Sequence, residues 1–323
     1  MDEKVGVLLL QMGGPRTLDE VEPTIEALFR DPDLVRLPWP ISWFRKPLAR
    51  RVAKRRAPEV RKQYELMGGG SPNNATTMAQ AQVLEKALGD GFSCYAAMAY
   101  TPPTIAEALQ KALADGCTKI VGLSMFPQYS TATTKAAFRD LREAAQQQGV
   151  DWNSILLIDR WSAEQDYLAL AHSWIQSSLQ QGTQTEESPV LLMSAHGIPV
   201  SYVKSGDPYQ KEVEAMVANL KKLLPRKQRV ELSYQSRATK EPWLAPSTEH
   251  KLEELGREGA KSVLVFAASF VHDHIETLVE LDVDLAEVAH RFGIEKYSRV
   301  PAFNAHSDLA EVLAGLVRRR VAP

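Results

Sequence analysis

The sequence predicts an α/β fold of two similar lobes, each a doubly wound four-stranded parallel sheet flanked by helices, followed by a C-terminal helix. Short β-rich apolar runs alternate with longer helical patterns along the chain, which is typical of parallel βαβ units. The alternation occurs twice, once on each side of the polar segment 180–188. With 323 residues, of which 44% are hydrophobic, the chain is long enough to form two cores of ordinary size.

Apolar runs bounded by polar or turn residues are predicted as strands. Those of the first lobe are Val5–Gln11, Ser93–Met98, Lys119–Met125 and Ser154–Ile158. Those of the second lobe are Val190–Ser194, Arg229–Tyr234, Ser262–Phe266 and Glu295–Arg299. Helical patterns separate them, such as Thr104–Ala114, which ends at a candidate C-cap, Gly116. We therefore assign residues 1–182 and 189–303 to the two lobes and residues 307–323 to the C-terminal helix.

Composition excludes several classes of protein. Lys and Arg number 38 against 40 Asp and Glu, a formal net charge of -2, so no global charge favours a nucleic-acid partner. The two cysteines, Cys94 and Cys117, are too few for a disulfide framework or a four-thiolate metal site, and they fit a reducing cytosol. The N-terminal residues lack the basic and cleavage regions of a signal peptide, and the apolar runs are shorter than the about 20 residues of a spanning helix. We expect a cytoplasmic protein.

Two histidine-bearing loops follow strands at matching positions of the second lobe. His196 comes after Val190–Ser194, and His274 and Glu276 come after Ser262–Phe266. A lone histidine is more often structural. Ligands of doubly wound sheets bind outside the carboxyl ends of the strands, however, so we expect these side chains to converge on one site. Imidazole and carboxylate donors suit divalent metals such as ferrous iron and zinc, and a histidine that titrates near neutrality can act as a base.

The helix predicted from Glu276 carries further carboxylates at Glu280 and Asp284, the i+4 and i+8 positions. In a helix this spacing puts the three carboxylates on one face. Two interpretations stay open. Periodicity alone favours a solvated face opposite an apolar stripe. The alternative is an acidic path that carries protons or metal ions away from the histidines.

Residues 34–58, named the lip below, contain no acidic residue and interleave basic residues with Trp39, Trp43 and Phe44. An exposed basic helix is one interpretation. The other is a surface that contacts an anionic membrane and the carboxylates of an amphipathic ligand. The glycine-rich run 68–72 lacks the Lys-Ser/Thr ending of a phosphate-binding loop, so it is predicted to form a tight turn.

A series of motifs along the chain resembles those of the ferrochelatase family, in the family's order. They are Leu10–Pro15, Gly68–Pro72, Phe126–Ser130, Ser194–Pro199 with Gly206–Tyr209, Tyr234–Arg237 with Pro242–Leu244, and Asp273–Leu278. The resemblance runs from near Val5 to the C-terminal helix. So many motifs in one order are too specific for a chance match.

The resemblance implies two Rossmann-like lobes around a porphyrin cleft. It also implies insertion of ferrous iron into the porphyrin with loss of two pyrrole protons, the terminal step of haem synthesis. His196 then corresponds to the family's active-site histidine, a metal ligand or the base, and Glu276 to the acid and metal ligand paired with it. His274 would orient Glu276, and Glu280 with Asp284 would continue the family's acidic path. A neutral imidazole can accept a pyrrole proton, while carboxylates remove the positive charge that is released.

The resemblance also implies a set of porphyrin-binding residues. Those for the apolar macrocycle are Met12, Ile25, Leu28, Phe29, Leu34, Val60 and Trp243, and those near the propionates are Arg55, Arg56, Tyr64, Ser71 and Ser236. A flat apolar disc with charged substituents needs this division. Met12 is typical of relatives that use protoporphyrin IX, whereas relatives that use coproporphyrin III often carry Tyr there. Protoporphyrin IX is therefore the expected substrate.

Three positions depart from the family's pattern. Ala99 stands where many members have Arg, His272 adds a potential ligand beside His274, and Thr131 stands where cluster-bearing members have Cys. We therefore expect no iron-sulfur cluster and no other permanently bound cofactor. Fe2+ is expected as a substrate, with Zn2+ or Co2+ accepted in vitro. We expect a monomer, and peripheral contact with the inner face of the membrane is left open.

Three alternatives to a protoporphyrin ferrochelatase stay open. The first is a coproporphyrin III ferrochelatase. The second is a cobalt chelatase of the same fold, which acts on a more polar tetrapyrrole than the aromatic lip suggests. The third is a non-catalytic carrier of haem or iron.

Overall fold

The computed structural model describes residues 4–182 and 188–322, and the chain divides into two compact units. The first unit comprises Met1–Arg160 with Asn304–Pro323, and the second comprises Trp161–Phe303. This division differs from the expected lobes, because the helix Gln165–Gly182 belongs to the second unit and the C-terminal helix to the first. Residues 183–187 of the polar segment 180–188 lie outside the described residues, as do residues 1–3 and Pro323.

The first unit contains a parallel four-stranded sheet flanked by helices. Its strands are β1 Val5–Gln11, β2 Phe92–Met98, β3 Lys119–Ser124 and β4 Leu156–Ile158, and their order in the sheet is β2-β1-β3-β4. Its first helices are α1 Val21–Arg30, α2 Arg45–Leu66, α3 Asn73–Leu88, α4 Ile105–Ala114 and α5 Thr134–Gln147. Every residue of β1 is buried, as expected for a central strand of a parallel sheet.

The second unit repeats this topology. Its strands are β5 Val190–His196, β6 Val230–Gln235, β7 Ser262–Ala267 and β8 Lys296–Arg299, and they are parallel in the order β6-β5-β7-β8. Its helices are α6 Gln165–Gly182, α7 Val200–Lys204, α8 Tyr209–Leu223, α9 Thr248–Arg257 and α10 Leu285–Arg291, and a π-helix, Glu276–Asp284, directly precedes α10. The C-terminal helix, α11 Ser307–Val321, packs against α3 of the first unit.

The predicted fold class is confirmed, and each predicted strand occurs in the described residues with its ends at most two positions from the predicted ones. The shift at β5 matters most for the site. This strand continues through His196, because His196 still pairs with Gln235 of β6. His196 is therefore held by the sheet itself rather than by a loop.

Local sequence signals account for several helix ends and turns. Thr104 and Glu107 form a capping box at α4, in which Oγ1 of Thr104 accepts from the Glu107 N–H at 3.2 Å. After α4, Gly116 has a φ of 82°, the left-handed conformation of a glycine C-cap. In the run 68–72, a Cβ on Gly70 would lie 2.2 Å from the carbonyl oxygen of Arg16. This close approach explains the glycine in the tight turn that the sequence predicts.

The lip is poorly covered by the rest of the first unit. No side chain from 32 to 48 is buried, and only a short 3-10 turn, Ile41–Phe44, and the start of α2 are regular there. Trp39, Trp43 and Phe44 are 74%, 75% and 65% exposed. Within the described ranges, no helix combines the length and apolar character needed to cross a bilayer.

Candidate active site

The order of strands in the second sheet reverses between β5 and β7. From β5 the chain forms β6 on one side of the strand, and it then returns to form β7 on the other side. A crevice outside the carboxyl ends of two such strands is where ligands of doubly wound sheets bind. His196 ends β5, and His274 and Glu276 follow β7 in the chain. The predicted candidate residues thus lie at the switch point of this sheet.

His196 and Glu276 form the centre of the site. Nδ1 of His196 lies 3.3 Å from Oε2 of Glu276, and the two side chains are 32% and 30% exposed. A carboxylate beside Nδ1 favours the neutral tautomer that carries its proton on Nδ1, although this atom has no hydrogen-bond partner with good geometry among the described residues. The lone pair of Nε2 is then the one that can accept a proton or bind a metal.

Neighbouring residues fix the backbone of His196. Its N–H donates to Oγ of Ser269 at 2.8 Å, and Oη of Tyr209 donates to its carbonyl oxygen at 2.8 Å. The next residue, Gly197, approaches the sheet so closely that a Cβ there would lie 2.9 Å from the carbonyl oxygen of Gln235. Only glycine fits where the chain leaves β5, and these contacts together hold the imidazole at the end of the strand.

The charges of the pair favour an ion pair. Burial lowers the pKa of His196, but the carboxylates of Glu276 and Glu280 raise it more, so the pKa lies above its ordinary value. Burial raises the pKa of Glu276, but the nearby His196 outweighs that effect and lowers it to about 2. The imidazole therefore has a higher proton affinity than an isolated histidine, and Glu276 remains a carboxylate beside it.

His274 supports Glu276 and is itself neutral. Its Nδ1 accepts a hydrogen bond from the backbone N–H of Glu276 at 3.1 Å, so its own proton is on Nε2. Its backbone N–H donates to Oγ1 of Thr277 at 3.0 Å. Burial lowers the pKa of His274, and the charge of Glu276 only partly opposes this. This geometry is that of a residue that orients the turn carrying Glu276.

Two aromatic side chains lie beside the histidines. The ring centroid of Phe270 lies 4.3 Å from that of His274 and 6.1 Å from that of His196. The ring centroid of Trp243 lies 6.3 Å from that of His196, and its Nε1 donates to Oγ1 of Thr239 at 2.8 Å. Apolar rings reduce the local dielectric and strengthen the electrostatic interactions of the pair.

His272, expected as an additional potential ligand, is 4% exposed and has no hydrogen-bond partner for either ring nitrogen within residues 4–182 and 188–322. Its ring centroid lies 5.4 Å from that of His274. Burial, with a smaller effect of His274, lowers the pKa of His272 to about 3. In the described part of the chain, no three His, Cys, Asp or Glu side chains group closely enough to hold a metal ion.

The π-helix begins at Glu276 and carries Glu280 and Asp284. The carboxylate of Glu280 accepts hydrogen bonds from the Ser236 N–H at 2.6 Å and from Nε2 of Gln235 at 3.2 Å. Burial and the charge of Glu276 raise the pKa of Glu280. Asp284 is exposed. The interpretation as a solvated face therefore fits Asp284 but not Glu280, which is part of the site.

Ser236, expected near a porphyrin propionate, contacts Glu280 through its hydroxyl as well as its N–H. Its φ is 68°, a left-handed conformation that costs energy for a residue with a side chain. The two bonds to Glu280 hold Ser236 in this conformation at the end of β6.

The remaining predicted porphyrin-binding residues of the first unit belong to α1, α2 and the loops beside them. Ile25 and Tyr64 are buried, Arg55 and Arg56 are exposed, and Met12, Leu28, Phe29, Leu34, Val60 and Ser71 are half-buried. The guanidinium of Arg56 lies 5.4 Å from the ring centroid of Phe29, so α2 and α1 bring a cation and an aromatic ring together. Gly14 packs so tightly that a Cβ there would lie 2.7 Å from the side chain of Ser71. The loop after β1 and the glycine-rich turn therefore lie in contact.

Sequence reasoning assigned no role to Tyr209, Gln235, Ser269 and Phe270, which all contact the central residues. Tyr209 and Gln235 fall inside the motifs that resemble the family, and Ser269 and Phe270 follow β7 directly. These positions, within a motif or after a strand, were the sequence features that could have identified the four residues. Their contacts are single hydrogen bonds and ring packing, which leave no pattern in one sequence.

The doubled fold is shared with a solved chelatase. The structure titled "SirB from Bacillus subtilis with Fe3+" matches with a TM-score of 0.58 at 10% sequence identity, covering 99% of this chain and 96% of that chain. This likeness shows the fold, a doubled α/β architecture with two parallel four-stranded sheets.

Sequence comparison specifies the family within this class. A family model described as Ferrochelatase matches residues 4–321. The ferrochelatase of Geobacter metallireducens is 41% identical over 322 residues, which is 99% of each chain. That of Gloeothece citriformis is 41% identical over 319 residues, covering 97% of this chain and 82% of the relative. The chain belongs to the ferrochelatase family, as its motifs predict.

Proposed function

We propose that this protein inserts ferrous iron into protoporphyrin IX to form protohaem, the terminal step of haem synthesis. The observation that carries the proposal is the pair of His196 and Glu276 at the switch point of the second sheet, with Nδ1 and Oε2 3.3 Å apart. Membership of the ferrochelatase family supports the class of reaction.

Insertion of Fe2+ into a neutral porphyrin releases two pyrrole protons, so the site must accept protons. With Nδ1–H facing Glu276, Nε2 of His196 carries the free lone pair and takes a proton from a pyrrole nitrogen. The carboxylate of Glu276 stabilises the imidazolium that forms, which is why the pKa of His196 is raised despite the burial that lowers it. Glu280, a carboxylate whose pKa burial raises, passes the proton towards the exposed Asp284. The second proton leaves by the same route.

His196 and Glu276 are also the proposed ligands of the entering metal ion, which must leave Nε2 of His196 for the porphyrin before that lone pair accepts a pyrrole proton. Imidazole and carboxylate donors suit Fe2+, and the same donors accept Zn2+ or Co2+ in vitro. His274 is a positioning residue, since its Nδ1 accepts the N–H of Glu276 at 3.1 Å. Iron is the substrate here, and no iron-sulfur cluster is proposed, because Thr131 stands at the position of a cluster-ligating cysteine.

Protoporphyrin IX is the proposed organic substrate. The apolar side chains of Met12, Leu28 and Phe29 suit the macrocycle, and the exposed guanidinium groups of Arg55 and Arg56 suit its propionates. Coproporphyrin III carries more carboxylates and is the alternative substrate. Faster insertion into coproporphyrin III would place the protein with the relatives that use that substrate.

We also propose that the lip contacts the inner face of the membrane. Trp39 and Trp43 expose most of their surface, and they precede the exposed cations Lys46, Arg50 and Arg51. Aromatic rings beside cations suit the interface of an anionic bilayer. The protein is otherwise proposed to be a cytoplasmic monomer.

The test is an anaerobic fluorescence assay of the purified protein with protoporphyrin IX and, separately, coproporphyrin III. Fe2+ or Zn2+ is added, and the loss of free porphyrin emission is followed. We expect faster insertion into protoporphyrin IX. His196→Ala and Glu276→Gln should each lose about 100-fold or more in kcat, since each removes a proton-transfer group, while porphyrin binding stays near the wild-type value.

A matched control is His250→Ala, which removes an exposed histidine of α9 and should leave the rate unchanged. Insertion at the wild-type rate in either site variant would refute the assignment of the pair. Tight porphyrin binding without insertion of either metal would favour the alternative of a non-catalytic carrier of haem or iron.

A further inference from the structure

A charged network in the first unit surrounds Asp31, the residue that follows α1 and is 5% exposed. The guanidinium of Arg139, on α5, donates to both carboxylate oxygens: Nη1 to Oδ1 at 3.0 Å and Nη2 to Oδ2 at 2.9 Å. Oη of Tyr100 donates to Oδ2 at 2.7 Å. Burial raises the pKa of Asp31, but the bonds from Arg139 and Tyr100 outweigh it and keep the carboxyl ionised.

The same network extends along the segment that leads into the lip. Arg139 also donates to the carboxylate of Asp33, and Nζ of Lys135, on the same helix, donates to Oδ1 of Asp33 at 2.9 Å. Nη2 of Arg36 donates to Oγ1 of Thr131, in the loop before α5, at 2.7 Å. Residues 31, 33 and 36 are therefore each attached to α5 or its preceding loop by a polar side-chain contact.

Apolar packing contributes little to the position of this segment. No side chain from 32 to 48 is fully buried, so apolar packing holds the start of the lip less firmly than it holds a buried loop. Nη1 of Arg45 adds polar contacts, since it donates to the carbonyl oxygens of Asp31 at 3.2 Å and Val35 at 2.6 Å. A bidentate pair between arginine and a buried carboxylate is among the strongest polar contacts in proteins. The polar contacts therefore determine where residues 31–36 lie.

The network borders a cavity of about 630 Å³ that is open at the surface of the first unit. Its lining includes Ala99, Asp31, Tyr100 and Arg139. Ala99 contributes only a methyl group to this wall. The cavity has room for a longer side chain that approaches Asp31 from the β2 side.

We propose that Arg139 is a positioning residue for porphyrin binding, because its pairs with Asp31 and Asp33 hold the segment that leads into the lip against α5. The inference rests on the proposed function, in which Leu28, Phe29 and Leu34 contact the macrocycle. Leu28 and Phe29 lie three and two positions before Asp31, and Leu34 lies three positions after it. Since Arg139 touches no reacting atom, its loss changes the binding of porphyrin rather than the chemical step.

The test combines kinetics with hydrogen exchange on Arg139→Ala. We expect the KM for protoporphyrin IX to rise about tenfold while kcat stays within about twofold. We also expect faster amide exchange in residues 31–36. Arg142→Ala is the matched control, since it removes an exposed arginine from the same helix and should change neither quantity. Ala99→Arg in the Arg139→Ala background should restore the KM by returning a guanidinium to Asp31.

An unchanged KM in folded Arg139→Ala, or unchanged exchange in residues 31–36, would overturn the proposal. So would a double variant that keeps the KM of the single variant. If Arg139→Ala does not fold, Arg139→Lys keeps the charge but loses the bidentate geometry, and an intermediate KM is expected. A wild-type protein that inserts no metal would refute the proposed function, whereas the exchange measurement would still decide whether Arg139 holds the segment.

Discussion

The imidazole of His196 and the carboxylate of Glu276 are in direct contact, with Nδ1 3.3 Å from Oε2. The contact arises because β5 and β7 are neighbours in the sheet, with Ser194 paired beside Ala267. The loops that follow the two strands therefore begin side by side. Strand pairing thus brings an imidazole and a carboxylate together from distant parts of the chain.

The pair of His196 and Glu276 should stabilise the fold within a limited range of pH. The pKa of His196 is raised above 6.5, so its contribution is fully present below pH 6.5 and is lost as the pH rises through the higher folded value. The pKa of Glu276 is lowered from 4.5 to about 2, so its contribution is present above pH 4.5 and is lost as the pH falls towards 2. Urea unfolding of the wild type and of Glu276→Gln should differ most between these limits. A difference that does not vary with pH would contradict the prediction.

Glu280 should tune the pH dependence of metal insertion. Its charge contributes to the raised pKa of His196, so Glu280→Gln lowers that pKa. The base must be unprotonated to accept a proton, and the acidic limb of the plot of rate against pH therefore moves to lower pH in the variant. Asp284→Asn, at the exposed end of the carboxylate series, should move the limb less. Superimposable limbs for wild type and Glu280→Gln would refute this role.

His272 should reduce the stability of the wild-type protein. Its two ring nitrogens are buried and have no partner among the residues that the structure describes. His272→Leu removes them at similar volume, so the free energy of unfolding should rise by about 1–3 kcal/mol at neutral pH. The difference in free energy of unfolding between His272→Leu and the wild type should increase as the pH falls. The pKa of His272 is lowered to about 3, and below its ordinary value of 6.5 the unfolded chain takes up a proton that the folded chain does not.

Urea unfolding at several pH values measures the effect of His272→Leu, with His250→Leu as an exposed control on α9. If His272→Leu is less stable than the wild type, the ring nitrogens have a partner such as a buried water.

The lip should contribute to membrane binding through its cations. Replacing Arg50 and Arg51 by Gln should weaken the free energy of binding to anionic vesicles by ~1 kcal/mol per charge, because each neutralised side chain loses attraction to the surface. Co-sedimentation with the vesicles measures the bound fraction. The matched control replaces Arg319 and Arg320, which are exposed near the end of α11. An equal bound fraction for both double variants would favour the simple exposed basic helix.

Much of the architecture could be predicted because it depends on local pattern. The apolar runs were found as strands at nearly their predicted bounds, and Gly116 ends α4 with a positive φ. His196 and Glu276 could be selected as candidates because they follow strands at matching positions of one lobe. The ends of the strands, where ligands of such sheets bind, can be located from the predicted order of strands and helices.

Other features depend on contacts between residues far apart in the chain. The assignment of α6 to the second unit and of α11 to the first follows from packing, and neither helix carries a local mark of its partner. The bonds from Ser236 to Glu280, and the pairing of Arg139 with Asp31, depend on strand ends and helix positions that only the folded chain brings together.

The sequence by itself determined the class of fold, the order of its elements and the chemical types available at each strand end, because periodicity and residue type are local. Only the tertiary structure decided which of those groups meet. Nδ1 of His196 faces Glu276, and His272 has no hydrogen-bond partner in the described residues. The carboxylate of Glu280 accepts a hydrogen bond from Ser236 beside these residues. The physical reason is that a hydrogen bond needs two groups within about 3 Å, and that distance is set by sheet register and side-chain rotamer.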